Sequence, residues 1–324
     1  MKFGLLLPHF GEHASVEKCI KGAQCAEAYG FDSVWVRDHL VFKPHAGEGG
    51  DNYHIEGLLI LAAVAAATKK IKLGTAMAIC HRHPIHLAQS IAGLSAIAGG
   101  RVIMGMGVGG FAHEFAAAGR PHSLEARIKL VAMNVDICRR LWAGESLSHA
   151  SDYFGFKDVQ IKPRPVSPIP VWIGGGTPAA CRRAVQLGDG WMPARITLQT
   201  YRKRVEYLQE LCEAKGRQMI STAVMPFTSV AENMDSALCG IDTGSLIDEV
   251  HNSSTWVKPP SGGFSSMEDI RGVLLAGTPD DISRETRAYE AAGAEHIVYD
   301  LRLRYTDWYE QIDVLGKEVL PDFI

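Results

Sequence analysis

Four sets of residues in this sequence have types and spacings that can do chemistry. The first is Gly174-Gly175-Gly176-Thr177, which follows the apolar run Pro170-Val171-Trp172-Ile173 and precedes a segment of helical pattern. A strand that ends in glycines and turns at once into a helix leaves backbone N–H groups bare. A phosphate can accept them at the positive end of the helix dipole, although glycines also serve a tight turn that binds nothing. The second set is Asp38-His39, an acid beside a group that titrates near neutral pH. Such a pair can hydrogen-bond a ring or move a proton, and equally can be structural. The third, Gly105-Met106-Gly107-Val108-Gly109-Gly110, spells G-x-G-x-x-G. The next convincing strand begins near Pro170, too far for a dinucleotide-binding unit of about thirty residues. Those glycines are therefore expected to let a flat ring approach the backbone. The fourth set, Cys80, His81, His83 and His86, fits no zinc spacing, and His113-Glu114 has no histidine three residues on. No metal is expected from either.

These residues need elements to hold them, and the pattern alternates strand with helix almost throughout. Strands are expected at Phe3 to Leu7, Ser33 to Val36, Ile71 to Met77, Val102 to Met106, Pro170 to Ile173, Gly190 to Pro193, Ser221 to Val230 and His296 to Asp300. Helices are expected at Val16 to Tyr29, Leu58 to Ala67, His86 to Ala98, Leu124 to Trp142, Pro178 to Leu187, Leu198 to Ala214, Pro279 to Ala292 and Asp307 to Val319. Continuous apolar strands alternating with amphipathic helices imply a parallel sheet covered by helices. Eight such units favour an α/β fold of the (β/α)8 TIM-barrel type over an open doubly wound sheet, as one domain over residues 1–324. Two stretches exceed the ideal barrel, about 146–168 and 231–277, and are read as insertions at the C-terminal mouth. In such a barrel the four candidate sets all fall at strand ends, on the face where barrel enzymes keep their chemistry.

Composition excludes several classes. A net charge of −3 over 324 residues, with 21% charged, gives no basic surplus for nucleic acid. The longest apolar stretch, Leu58 to Ala67, is about half a membrane span, and the amino terminus lacks a signal-peptide pattern. Seven scattered cysteines without a C-x-x-C pair fit free thiols in a reducing compartment. A cytoplasmic protein is expected.

Taken in order, several segments resemble the luciferase-like monooxygenase superfamily, which includes FMN-dependent monooxygenases and F420-dependent oxidoreductases. They are Gly30 to Leu40, Ile71 to Thr75, His83-Pro84 through Gly99-Gly100-Arg101-Val102, and Glu114-Phe115 with Gly119. Further along come Leu141-Trp142, Pro163-Arg164-Pro165, Gly188-Asp189-Gly190-Trp191 and Gly277-Thr278-Pro279. The resemblance implies a flavin or deazaflavin ring at the mouth, over a bulge at Ala76-Met77 that often holds a non-proline cis peptide. Gly107 and Gly109 would pass near the ring, and Gly174, Gly175, Gly176 and Thr177 would take its phosphate. Asp38 and His39 would meet the ring or the substrate as catalytic residues, a pairing typical of the F420 group. FMN, used by relatives that share most of these motifs, is the alternative cofactor. The group's sugar-phosphate dehydrogenases carry a glutamate where this chain has Gly110, so that substrate is not implied. The expected activity is F420-dependent hydride transfer to or from a small organic substrate in a pocket formed by Phe10, His81, His83 and the second insertion. The alternatives are a two-component FMN monooxygenase served by a separate flavin reductase, and a non-catalytic flavin-binding relative. A homodimer is implied as well.

Overall fold

A computed structural model describes residues 1–45, 48–251 and 253–323. Eight parallel strands close into a barrel: β1 (Lys2–Leu6), β2 (Ser33–Val36), β3 (Lys72–Thr75), β4 (Val102–Gly107), β5 (Val171–Gly174), β6 (Gly190–Met192), β7 (Ser221–Val224) and β8 (His296–Tyr299). Each pairs with the next in sequence, and β8 returns to β1 with Lys2 opposite His296 and Leu5 opposite Tyr299. The strands are buried almost end to end, because one face meets the barrel interior and the other meets helices. The helices begin and stop where their caps allow. Ser15 accepts the Lys18 amide and opens Val16–Tyr29, which ends at Gly30 with φ of 91°. Thr278 and Asp281 form a reciprocal capping box at the start of Pro279–Ala291.

Aromatic side chains plug the barrel. Trp35 and Trp172 lie 5.3 Å apart, each packed edge-on against His296 at 5.9 and 5.6 Å. Gly74 makes the room: a Cβ there would stand 2.1 Å from Trp35. His296 hydrogen-bonds Ser33 at 2.8 Å, and burial pushes its pKa down to about 3, so it stays neutral. A floor packed this way leaves the mouth as the place for a ligand.

Three expected elements differ. The run Ser221 to Val230 is two strands, because Pro226 cannot continue a ladder. Phe227–Val230 leaves the barrel and pairs in parallel with Leu274–Gly277. The carboxy-terminal helix is α-helical only over Trp308–Val314, then widens into a π-type turn at Leu315–Val319. The first insertion is a hairpin of Leu147–Ala150 and Gly155–Val159. At its turn, Phe154 packs on His83 at 4.9 Å. The second insertion contains helices Met234–Leu238 and Thr243–His251. It has its own small core, in which Leu246, Val250, Phe264 and Ile270 pack on Phe227. Among the described residues no helix is long and apolar enough to cross a membrane.

Candidate functional site

The chain leaves β3 at Thr75 and passes through a cis peptide between Ala76 and Met77. It then pairs again with β4, Ala78 opposite Met106 and Ile79 opposite Gly107. This detour points Met77 into the mouth, and glycines on the neighbouring strands make way for it. A Cβ on Gly105 would stand 2.5 Å from Met77 Sδ, one on Gly107 3.0 Å from its Cβ, and one on Gly174 2.7 Å from its Cγ. The strand-four glycines expected to admit a ring thus first seat a methionine. The same detour opens a cavity of about 320 Å³. It is lined by Ala76, Met77, Gly107, Gly109, Gly174, Gly175 and Gly176 together with Ile79, Val108, Met192, Pro193, Ala194, Arg195, Met225 and Trp256. Arg195 is the one charged residue in that lining, among the described residues.

One end of the cavity is the glycine turn after β5. Gly175 has φ of 113°, a conformation that favours glycine. Its carbonyl accepts the Trp191 indole N–H at 2.8 Å, and the Gly176 carbonyl accepts Arg204 Nε at 3.0 Å. With both carbonyls held from behind, the Gly175 and Gly176 amides donate to no backbone acceptor among the described residues. Thr177 is spent differently: its hydroxyl accepts the Ala180 amide at 3.1 Å and caps Pro178–Leu187. It does not line the cavity.

Behind the bulge sits Asp38. Its Oδ2 accepts the Ile79 amide at 2.8 Å and Arg82 Nε at 2.8 Å, while Oδ1 accepts Arg82 Nη2 at 2.6 Å. Burial alone would raise this carboxyl, but the Arg82 guanidinium and the Ile79 amide outweigh burial and hold it below the usual carboxylate range. Asp38 is therefore an ionised anchor for the bulge, with Arg82 bridging on to Glu56 at 2.6 Å.

His39 faces the other way. Arg37 Nη2 donates to its Nε2 at 2.8 Å, which leaves Nδ1 as the protonated nitrogen, donating to Glu114 Oε1 at 3.1 Å. Glu114 also accepts the Leu40 amide at 2.9 Å and the Val41 amide at 3.2 Å, and these partners keep its pKa low against its burial. The ring is buried under Phe42 and Phe111, with centroids at 5.2 and 5.6 Å. The Arg37 donor on one side and the Glu114 carboxylate on the other fix the orientation of the ring.

Arg37 belongs to a longer array. Its guanidinium lies 4.5 Å from the Phe10 ring and 5.7 Å from Phe42; Arg302 lies 5.3 Å from Phe10 and 5.2 Å from Phe227; Arg195 lies 4.3 Å from Phe227. Arginine and phenylalanine so alternate from His39 to the wall of the first cavity. Carboxylates balance the array. Glu48 takes both Arg37 and Arg302, Asp300 takes Arg302 at 2.6 Å, and Glu249 pairs with Arg195. Along it opens a second cavity, of about 660 Å³, lined by Phe10, His45, Glu48, Arg302, Tyr305 and, from the second insertion, Leu246 and Glu249.

The expected cofactor residues of the bulge and glycine turns are thus gathered in one cavity, with Asp38 behind it and Phe10 in the neighbouring one. His39, His81 and His83 line neither. His81 is buried against Phe115 at 5.6 Å, and His83 caps the helix Pro84–Ile97. Glu114 entered the sequence reading only as half of a rejected metal motif and as part of the family resemblance, and Arg37, Arg82, Glu48 and Arg302 were given no role. Glu114 lies 75 positions from His39, and no spacing rule links them. Gly110, where an acid was looked for, is open on its Cβ side.

A barrel whose mouth holds a bulge, a glycine turn and a buried acid–histidine pair defines a class of oxidoreductase. The chain belongs to the luciferase-like monooxygenase family, which matches residues 1–296, and it is an enzyme of that family. It is 34% identical over 323 residues to an F420-dependent glucose-6-phosphate dehydrogenase of Amycolatopsis mediterranei, covering 90% of this chain and 89% of that one. It is 30% identical over 191 residues to an F420-dependent hydroxymycolic acid dehydrogenase of Mycobacterium tuberculosis, covering 58% of this chain and 51% of that one. Among solved structures, an F420-dependent secondary alcohol dehydrogenase in complex with an F420–acetone adduct shares the fold, with a TM-score of 0.81, 21% identity and coverage of 99% and 98%.

Proposed function

We propose that this enzyme transfers a hydride between coenzyme F420 and a small hydroxylated substrate. The observation that carries the reading is the single cavity in which the cis Ala76-Met77 bulge, the β4 glycines and the bare amides of the β5 turn come together. The residues fit the group. Met77, Ile79, Met192 and Met225 offer apolar walls to a flat ring, and the Gly175 and Gly176 amides offer donors to a phosphate. The F420 dependence of the Amycolatopsis relative supports the choice of cofactor.

When bound, the deazaflavin supplies a ring carbon that accepts or gives the hydride. The protein does the rest. Asp38 and Arg82 hold the Ile79 end of the bulge, so the cavity floor keeps its shape. His39, oriented by Glu114, presents Nε2 as the site that takes the proton of a substrate hydroxyl, in exchange for its bond to Arg37. The substrate occupies the larger cavity beside Phe10, Tyr305 and the second insertion. The test is an anaerobic titration with F420 and with FMN. Much tighter binding of F420, and its reduction by an alcohol without oxygen, are expected. Preference for FMN together with oxygen-dependent turnover fed by a separate reductase refutes the proposal. The homodimer and the cytoplasmic location belong to the same proposal and are checked by light scattering and cell fractionation.

A further inference from the structure

The second insertion crosses the glycine turn and is tied down on it. Arg204, in the helix Leu198–Ala214, donates to the Gly176 carbonyl of the turn and, through Nη2, to the Thr255 carbonyl of the insertion. Two residues on, the Val257 amide donates to Thr200 Oγ1 at 3.1 Å. These bonds fix the chain on both sides of Trp256. Phe264 packs edge-on against the Trp256 ring at 6.1 Å, which sets its plane. The indole lines the same cavity as Gly174, Gly175 and Gly176. Its Nε1 lies 3.8 Å from the point where a Cβ on Gly176 would stand.

That N–H has no acceptor among the described residues, a lack it shares with Trp172 in the barrel floor, whereas those of Trp35, Trp142, Trp191 and Trp308 each donate within the protein. A tryptophan N–H ordinarily finds a partner when it is buried; the Trp256 ring is half-buried and its N–H is open rather than sealed. Here it lies with the two undonated glycine amides at one end of the cavity, and the Arg204 charge is fixed directly behind the turn. Three N–H donors backed by a guanidinium match a phosphate monoester or diester, which offers several acceptor oxygens.

We propose that Trp256 completes the phosphate site of the cofactor, donating its indole N–H to the same phosphate that the Gly175 and Gly176 amides receive. The second insertion is then a working wall of the cofactor site as well as of the substrate cavity. This rests on the reading that the cavity holds a phosphorylated cofactor.

The experiment compares the wild type with Trp256→Phe, which keeps an aromatic ring against Phe264 and removes the donor. Both are titrated with coenzyme F420 and with its phosphate-free deazaflavin riboside, followed by tryptophan and cofactor fluorescence. An unchanged thermal midpoint certifies the fold. The expected result is a loss of about tenfold in F420 affinity, the worth of a hydrogen bond to a charged group, with riboside affinity unchanged. An equal loss with both ligands places the indole on the ring and overturns the proposal; no loss with either overturns it too. If the wild type binds neither deazaflavin, the cofactor reading fails, and inorganic phosphate alone decides the Trp256 assignment. Phosphate must then change the fluorescence of the wild type and leave that of Trp256→Phe unaltered; identical responses overturn it.

Discussion

Replacing Asp38 with Asn tests whether the acid at the end of β2 anchors the bulge or handles protons. The carboxylate is buried and receives two bonds from Arg82 and one from the Ile79 amide. Breaking a buried pair by removing one partner costs about 3–5 kcal/mol. Arg82 keeps Glu56 and its side chain is 25% exposed, and Asn can still accept the Ile79 amide. The expected loss is therefore about 2 kcal/mol, read as a lower urea midpoint with an unchanged slope. The pH dependence gives a second signature. Asp38 titrates lower in the folded chain than in the unfolded one. Its stabilisation is therefore present above about pH 4, the unfolded value, and is lost as pH falls through the depressed folded value. The gap between wild type and Asp38→Asn should accordingly close on acidification. Because Ile79 closes the cofactor cavity, Asp38→Asn should also weaken F420 binding. A double-mutant cycle with Arg82→Gln should return a coupling of at least 1 kcal/mol, a conservative figure for groups in direct contact. A variant as stable as the wild type at pH 7, with full cofactor affinity and a shifted pH–rate profile, would refute the anchor and restore a proton-transfer role.

Three further expectations follow from the same geometry. Glu114→Gln should lower kcat by about ten- to a hundredfold with cofactor affinity unchanged, because it frees the His39 tautomer; His39→Ala should lower kcat by about 10²–10⁴, and equal, small effects from both would exclude His39 as the proton acceptor. Gly174→Ala places a Cβ 2.7 Å from Met77 Cγ and should destabilise by about 1–3 kcal/mol; adding Met77→Ala should recover part of that in the same melt, and no recovery would show that Met77 is not the obstacle. Burial pushes His9 down to about 3 and His54 down to about 4. The unfolded chain thus takes up these protons first, and stability should fall as pH drops from about 6.5 towards 4. Urea midpoints across that range that stay flat would contradict the neutral state of both rings.

What the sequence disclosed depended on how local the cause was. β1 to β6 and β8 were legible because apolar runs, glycines and capping residues are local. So was the β5 turn, where Gly174 to Thr177 carries its conformation in its residue types. Pro226 was a local signal too, and it splits the expected strand at Ser221 to Val230. The charged network was not legible. Glu48 reaches Arg302 across 254 positions and Glu114 reaches His39 across 75, distances at which closure of the barrel, rather than periodicity, chooses the partner. His81 and His83 line neither cavity for a related reason: whether a strand-end side chain faces the mouth or the helix layer depends on the local detour after Met77.

The alternating array of arginine and phenylalanine also constrains how this chain can change over generations. Arg37, Arg302, Glu48 and Asp300 form a charge-neutral set of two cations and two anions, all nearly sealed from water. Losing any one member strands a buried charge, so single replacements there should be purged while compensated pairs persist. Descendants with a new substrate should keep that set and vary the insertion residues facing it, such as Leu246. The array would then be inherited as a block, and a substitution in one of its members would predict a partner substitution in another.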